Sequence, residues 1–102
     1  MEQLNKVELR GVVGNSHSNN IVNAPATRFS VATDYAFKDK GGNNIIETTW
    51  HSCVSFDPRA LDIKKGDKIH LFGRLRNERY MDAEGNERAV VNIYVNKFEI
   101  EN

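Results

Sequence analysis

The chain has 102 residues, of which 39% are hydrophobic and 27% are charged, a size and composition typical of one ordinary globular domain. It contains 14 basic and 14 acidic residues, so it lacks the net basic charge that many nucleic-acid-binding proteins carry. The single cysteine, Cys53, excludes an internal disulfide and leaves no CxxC pair for a structural zinc site. Since the sequence shows neither an apolar run of ~20 residues nor a signal pattern, we expect a cytoplasmic protein.

Apolar and polar residues alternate along most of the chain, a pattern typical of strands that bury one face. The first strand is predicted over residues 6–13, and Gly11 within it indicates a bulge or a sharp bend. Residues 14–27 are rich in Asn, Ser and Gly and are predicted to form a loop, with a short extended piece around Ile21 and Val22.

A hairpin is predicted next. Its first strand covers residues 28–33 and continues in phase through Tyr35 and Phe37. The segment DKGGNN, residues 39–44, supplies Gly and Asn for a tight turn, and a long strand follows over residues 45–56. On that strand successive side chains point to opposite sides.

A short helix is predicted after the hairpin, because Asp57 is a good N-cap and Pro58 suits the first helical position; Gly66 ends it. The last three predicted elements are a strand at 68–76, a hairpin turn at 81–87 and a strand at 89–100. In the final strand the apolar phase slips between Val95 and Phe98, which indicates a bulge or the end of strand pairing.

The predicted order is therefore three strands, a short helix and two strands. This order fits an all-β protein with a small closed five-stranded barrel of the OB type, and a β-sandwich is the structural alternative. Gly11 and Gly73 lie inside strands, where a small barrel requires strong coiling.

Six segments in chain order resemble the bacterial single-stranded DNA-binding protein family. They are NKVELRGVVGN at 5–15, FSVAT at 29–33, KDK at 38–40, ETTWHSCVSF at 47–56, KKGDKIHLFGRLRNERY at 64–80 and the closing hairpin. The resemblance implies one OB domain over residues 1–102 that binds single-stranded DNA with little sequence preference in replication, recombination and repair. It also implies a bacterial, nucleoid-associated protein that forms a homotetramer or homodimer, needs no cofactor and is not an enzyme.

The family's base-stacking positions fall on aromatic residues of this chain. By residue-by-residue resemblance they are Trp50, Phe56, Phe37 and Tyr80. Binding a single strand without sequence preference requires aromatic faces for the bases and cations for the phosphates. The alternative for each aromatic residue is packing in the core.

The zero net charge hides an uneven distribution. Residues 28–80 carry ten basic and seven acidic side chains, whereas residues 81–102 carry two basic and five acidic ones. Arg74 and Arg76 share a strand face with Phe72, and Lys38 and Lys40 lie on the hairpin arm. These four residues and Arg28 are the predicted phosphate contacts, with a solvated polar surface as the alternative.

His51 lies on the strand side opposite Trp50 and resembles a family histidine found at subunit contacts. His17 and His70 have no Ser, Cys or acidic partner at the spacing of a catalytic triad or metal site, so neither chemistry is predicted. Cys53 is predicted to be a core residue.

The sequence departs from the family pattern in three places. The helix segment DPRALDI is short, the segment HSNNIVNAPA lacks the usual charges, and the chain ends at Asn102. Typical relatives continue into a flexible linker with an acidic tip that recruits repair and replication enzymes, so we do not expect those partners. The alternative function is a primosome-type OB adaptor that acts mainly through protein assembly.

Overall fold

The computed structural model describes residues 1–19 and 26–102. Its elements are β1 (Val7–Asn19), β2 (Ala26–Lys38), β3 (Asn44–Ser55), a 3₁₀ helix (Pro58–Asp62), β4 (Lys68–Met81) and β5 (Glu87–Ile100). The strands close into a barrel in the order β1-β2-β3-β5-β4, in which only the β3–β5 pair is parallel. The predicted five-stranded barrel with one short helix is confirmed, and the sandwich alternative is wrong. Within the described residues, no helix has the length and apolarity to cross a membrane.

The core consists of the inward-facing side chains of all five strands together with two residues at the helix. Its buried members are Val13, Phe29, Val31, Cys53, Ala60, Ile63, Ile69, Leu71 and Ile93. The period-two alternation of the sequence produces this arrangement, because every second side chain of a strand points inward. Cys53 is fully buried in this cluster, as predicted.

The helix is one 3₁₀ turn rather than the two-turn helix predicted up to Gly66. Asp57 caps it, since its Oδ1 accepts a 2.9 Å hydrogen bond from the backbone N of Arg59. The backbone N of Ala60 donates to the carbonyl of Asp57, and that of Ile63 donates to the carbonyl of Ala60. The helix ends at Ile63, whose backbone is extended (φ −66°, ψ 130°) and whose side chain is buried in the core with that of Ala60.

Two hairpins extend further than the sequence predicted. Residues 14–19, predicted as loop, continue β1, and residues 16–19 pair with residues 26–29 of β2. The strand β4 runs to Met81 and pairs with β5 along its whole length. The extension of β1 is polar and the extension of β4, which ends in the exposed Tyr80 and Met81, contributes no core residue, so apolar alternation gave no sign of either. The extended piece expected at Ile21 and Val22 lies outside the described residues.

The β2–β3 and β4–β5 hairpins end in the same kind of turn. The Oδ1 of Asp39 accepts 2.9 Å bonds from the backbone N of Gly41 and Asn43. The Oδ1 of Asp82 accepts the equivalent bonds from residues 84 and 86, at 3.0 and 2.9 Å. These backbone donors hold the pKa of both carboxyls below the usual value. The predicted turns are confirmed.

Gly11 and Gly73 are required by close approach to a neighbouring strand. A Cβ on Gly11 would lie 2.2 Å from the carbonyl oxygen of Ala32, and one on Gly73 would lie 2.3 Å from that of Tyr94. Gly11 is not itself the bulge that we predicted, because the register of β1 shifts between Val13 and Ser16. The bulge predicted in β5 is confirmed, since β4 and β5 change register where Gly73 follows Phe72.

Candidate nucleic-acid interface

Outward-pointing side chains of four neighbouring strands form one surface, which we call the aromatic–arginine face. It contains Arg28, Trp50, Phe56, Arg74, Arg76, Glu78, Tyr80, Asn92 and Tyr94. The strand register aligns these positions, because Arg28 lies opposite Val54, Val54 opposite Tyr94, and Tyr94 opposite Arg74. Since successive side chains alternate sides, Arg76 and Tyr80 share the side of Arg74.

Trp50 is an exposed residue of this face, with 60% of its surface accessible. Its indole ring lies over Gly14 of β1, where a Cβ would come within 2.4 Å of Cζ3. The adjacent hydroxyl of Ser30 accepts a 3.0 Å bond from the backbone N of Asn15, which ties β1 to β2 beneath the ring. The ring is thus supported from below by backbone and open to solvent above.

A second aromatic group lies further along β3. Phe56 is 55% exposed, and its ring centroid is 5.9 Å from that of Tyr94. Val54, the neighbour of Tyr94, is four positions after Trp50 on β3, and at a rise of ~3.3 Å per residue this spacing is roughly 13 Å. Trp50 and the Phe56–Tyr94 pair are therefore two separate places at which a base could stack.

The guanidiniums of Arg74 and Arg76 lie over the ring of Tyr94, at 5.2 and 5.0 Å from its centroid. Glu78 lies beside them, and its Oε1 accepts hydrogen bonds from Nδ2 of Asn92 at 2.8 Å and from the hydroxyl of Tyr94 at 2.9 Å. These two bonds, with the nearby charges of Arg76 and Arg28, hold the pKa of Glu78 below its usual value. The Glu78 carboxylate is therefore ionised at neutral pH.

The five predicted phosphate-contacting residues have no carboxylate partner, whereas four arginines elsewhere in the chain do. Among the described residues, no ion pair within 4.0 Å involves Arg28, Lys38, Lys40, Arg74 or Arg76. Four other arginines lie within 3.1 Å of a carboxylate: Arg10 with Glu101, Arg59 with Asp57, Arg79 with Glu87 and Arg88 with Asp82. Of the seven arginines of the chain, the three without a carboxylate partner among the described residues are therefore Arg28, Arg74 and Arg76, and all three lie on this face.

Phe37 is separated from the other three predicted stacking residues. Ala32 pairs with Trp50 and Phe37 pairs with Ile45, so Phe37 lies on the opposite side of the β2–β3 hairpin from Trp50. There it is 36% exposed and stacks on Tyr35 at 6.0 Å. Tyr80 is 54% exposed and lies opposite Arg88, near the end of the β4–β5 hairpin. The structure therefore brings Trp50, Phe56 and Tyr80 onto one face and Phe37 onto another.

His51 lies on the side of β3 opposite Trp50, as the alternation predicted, and its Nε2 is 2.8 Å from the hydroxyl of Thr33. His70 is 2.6 Å from Oε2 of Glu8. Burial raises the pKa of the Cys53 thiol to about 12, which keeps it protonated at neutral pH. Across residues 1–19 and 26–102, no three or more His, Cys, Asp and Glu side chains are grouped as metal ligands.

Sequence reasoning missed Tyr94, Glu78 and Asn92. A signal was present, because residues of an antiparallel hairpin pair symmetrically about its turn, and the turn near residue 84 predicts Arg74 opposite Tyr94 and Arg76 opposite Asn92. Asn92 and Tyr94 belong to the polar phase of β5, whereas the prediction rested on the apolar phase of Val91, Ile93 and Val95; Glu78 lies on β4, on the side of Arg74 and Arg76.

A family model described as "Single-strand binding protein family" matches residues 4–101. A single-stranded DNA-binding protein of Xanthomonas axonopodis pv. citri is 32% identical, and the alignment covers 95% of this chain and 57% of that protein. Single-stranded DNA-binding protein 1 of Xylella fastidiosa is 34% identical, and the alignment covers 98% of this chain and 79% of that protein. This chain therefore spans little more than half the length of its Xanthomonas relatives.

Solved structures support the same fold. The structure titled "Plasmodium falciparum SSB complex with ssDNA" superposes with a TM-score of 0.82 at 23% identity, covering 98% of this chain and 95% of that one. The small single-stranded DNA-binding protein from Streptomyces coelicolor gives a TM-score of 0.71 at 20% identity, covering 99% and 96%. The OB-type barrel and the resemblance read from the sequence are confirmed, and the chain belongs to the single-strand binding protein family.

Proposed function

We propose that residues 1–102 act as one OB domain that binds single-stranded DNA without sequence preference and protects it during replication, recombination and repair. The aromatic–arginine face carries this proposal, because it combines exposed rings with unpaired guanidiniums. Family membership and the relatives named for single-stranded DNA binding support it.

Each ring offers a surface that any base can use. Stacking of a base on an aromatic side chain contributes ~1–3 kcal/mol and tolerates sequence changes, since every base has a π-face. In the proposed complex Trp50, Phe56 and Tyr80 stack bases on one side of the molecule. Phe37 stacks a base on the far side of the β2–β3 hairpin, so the strand passes around that hairpin.

Phosphate contacts supply the remaining affinity, through Arg28, Arg74, Arg76, Lys38 and Lys40. Each neutralised phosphate of a single strand releases ~0.7 counterions, so five contacts give a log–log salt slope of about −3.5. Between 50 and 200 mM salt, that slope lowers affinity by roughly 100-fold. A protein with zero net charge can show such a dependence, because Arg28, Arg74 and Arg76 lie on one face and have no carboxylate partner within 4.0 Å among the described residues.

The same proposal includes that the protein binds DNA without catalysing a reaction and that it acts in the cytoplasm of a bacterium. The match to the single-strand binding protein family supports this part. Self-association as a homotetramer or homodimer is also proposed, with His51 at a subunit contact. His51 suits that role because it lies on the other side of β3 from Trp50, so assembly leaves the ring accessible.

Fluorescence anisotropy of a labelled oligo-dT tests the proposal. We expect tight binding at 50 mM salt, a log–log salt slope near −3.5, and much weaker binding of a duplex of equal length. Weak binding of oligo-dT with a slope near zero would contradict the proposal and favour the adaptor alternative. Arg59→Ala is the matched control for Arg74→Ala, because Arg59 is already paired with Asp57 at 2.8 Å.

A further inference from the structure

Tyr94 occupies the centre of the aromatic–arginine face, and the predicted contacts surround it. Val54 of β3 and Arg74 of β4 flank it across the sheet. The ring of Phe56 packs against it at 5.9 Å with an interplanar angle of 44°. Tyr94 is half-buried, so its ring is neither a core residue nor a freely moving surface group.

The hydroxyl end of the Tyr94 ring is fixed by the Glu78 carboxylate, which Asn92 also holds in place. The hydroxyl of Tyr94 donates to Oε1 of Glu78 at 2.9 Å, and Nδ2 of Asn92 donates to the same oxygen at 2.8 Å. Asn92 is itself buried, with 4% of its surface accessible. A ring held at its hydroxyl and along one side has lost its rotational freedom before a ligand arrives, which lowers the entropic cost of binding.

Two cations lie against the same ring. The guanidiniums of Arg74 and Arg76 are 5.2 and 5.0 Å from its centroid, and no carboxylate of the described residues pairs with either within 4.0 Å. Bases stack on aromatic rings and on guanidinium planes, and guanidiniums bind phosphate through paired N–H groups. The cluster thus presents what a single nucleotide requires: a planar surface for its base and charged donors for its phosphate.

We propose that Tyr94, Arg74 and Arg76 form a subsite for one nucleotide of a single strand, and that Glu78 is the positioning residue of its ring. The subsite rests on the proposed function and adds a base-stacking residue to it. The subsite lies between two of the expected base contacts, because Phe56 is beside Tyr94 and the β4–β5 hairpin leads from Arg74 and Arg76 to Tyr80. Glu78 acts through Tyr94 and touches no nucleotide in this arrangement.

Variants of Glu78 distinguish a role in positioning the Tyr94 ring from a purely electrostatic effect of the carboxylate on DNA binding. Glu78 is an anion beside the proposed phosphate contacts, so electrostatics alone predicts that Glu78→Ala tightens binding of oligo-dT. Positioning predicts the opposite, a loss of several-fold, because the ring loses its anchor. Glu78→Gln keeps an oxygen acceptor for Tyr94 and Asn92 and removes the charge, so it should bind at least as tightly as wild type. Tighter binding by Glu78→Ala than by Glu78→Gln would overturn the positioning role.

Photo-crosslinking of the intact wild-type protein tests the stacking role without a variant that could misfold. An oligo-dT carrying one 5-iodouracil is bound, irradiated and digested with trypsin. Residues 89–97, AVVNIYVNK, form a tryptic peptide whose only aromatic residue is Tyr94, whereas residues 41–59 form the peptide of Trp50 and Phe56. We expect crosslinks in both peptides when the iodouracil position is varied along the oligonucleotide.

The outcomes separate the two proposals. Crosslinks in residues 41–59 and none in residues 89–97 would overturn the Tyr94 subsite and leave single-strand binding intact. An oligonucleotide that crosslinks nowhere and does not bind would overturn both.

The affinity of the Tyr94→Leu variant for oligo-dT is an independent test. Loss of one stacked base should weaken binding ~5–150-fold, and Tyr94→Phe, which keeps the ring, should weaken binding less. Equal affinity of Tyr94→Leu and wild type would also refute the subsite.

Discussion

Replacing Gly14 by alanine should displace Trp50 without disturbing the core. A Cβ at Gly14 would lie 2.4 Å from Cζ3 and 2.9 Å from Cη2 of the indole. Non-bonded carbon atoms rest at ~3.5–4.0 Å, so the ring must move by at least about 1 Å. It can do so, because Trp50 is 60% exposed and has solvent above it.

The effect on binding follows from what Trp50 contributes. One stacked base is worth ~1–3 kcal/mol, which corresponds to a change in affinity of ~5–150-fold. Complete removal of the ring, in Trp50→Ala, sets the upper limit. A tilted ring keeps part of its contact, so we expect Gly14→Ala to weaken binding about 5-fold, at the low end of that range. Its thermal midpoint should change by only a few degrees, since no buried apolar group is lost.

A double-mutant cycle with labelled oligo-dT checks this reasoning. If Gly14 acts through Trp50, Gly14→Ala should shift the tryptophan emission maximum and weaken binding in the wild-type background. It should have no further effect on affinity in the Trp50→Ala background. An equal loss in both backgrounds would show that Gly14 acts independently of the ring, and an unchanged emission spectrum would show that the ring does not move.

Three further predictions follow from the structure. Trp50→Ala should lower the affinity for oligo-dT by ~5–150-fold while light scattering shows unchanged assembly and the melting temperature stays within ~4 °C; a large drop in stability with normal affinity would identify Trp50 as a packing residue. His51→Glu should dissociate the oligomer in light scattering before it affects DNA binding at high protein concentration, and an intact oligomer would remove His51 from the interface. Asp67 accepts bonds from the backbone N of Lys64 at 3.0 Å and from the amide of Asn102 at 2.8 Å, which lower its pKa. Because the pKa of Asp67 is lower in the folded state, its ionised carboxylate stabilises the fold at pH values above the unfolded-state pKa of ~3.9. This stabilisation is lost as the pH falls through the folded-state pKa. Asp67→Asn should therefore melt below wild type at pH 7 and approach it below about pH 4, and a constant difference at every pH would contradict this assignment.

The barrel could be predicted from the sequence where side-chain burial determines the pattern. The alternation around Val31 and Ile69 identified inward-facing positions, and the phase slip after Val95 identified the β5 bulge. The extension of β1 over residues 14–19 was missed because those strand residues are polar. Their pairing rests on backbone hydrogen bonds, which leave no trace in hydrophobicity.

The candidate site was predictable in part, for a similar reason. Trp50 was predicted from its resemblance to a stacking position of the family, and Arg74 because it shares a strand face with Phe72. Tyr94 was missed because its role depends on the partner across the hairpin, and Phe37 was not assigned to a face because its side depends on the register of the arm. The short helix shows the same limit, since the cap at Asp57 marks where the helix starts, whereas the extended backbone of the buried Ile63, where it ends, has no signal in the sequence.

The most direct test of the central claim uses the intrinsic fluorescence of Trp50, the only tryptophan of the chain. Emission is recorded while the protein is titrated with unlabelled oligo-dT at low salt, and saturation is established by anisotropy of a labelled strand. Stacking of bases on the exposed indole should quench its emission strongly, and added salt should restore it as phosphate contacts are lost. Unchanged emission at saturating oligonucleotide would contradict the assignment of Trp50 and of the aromatic–arginine face to single-strand binding.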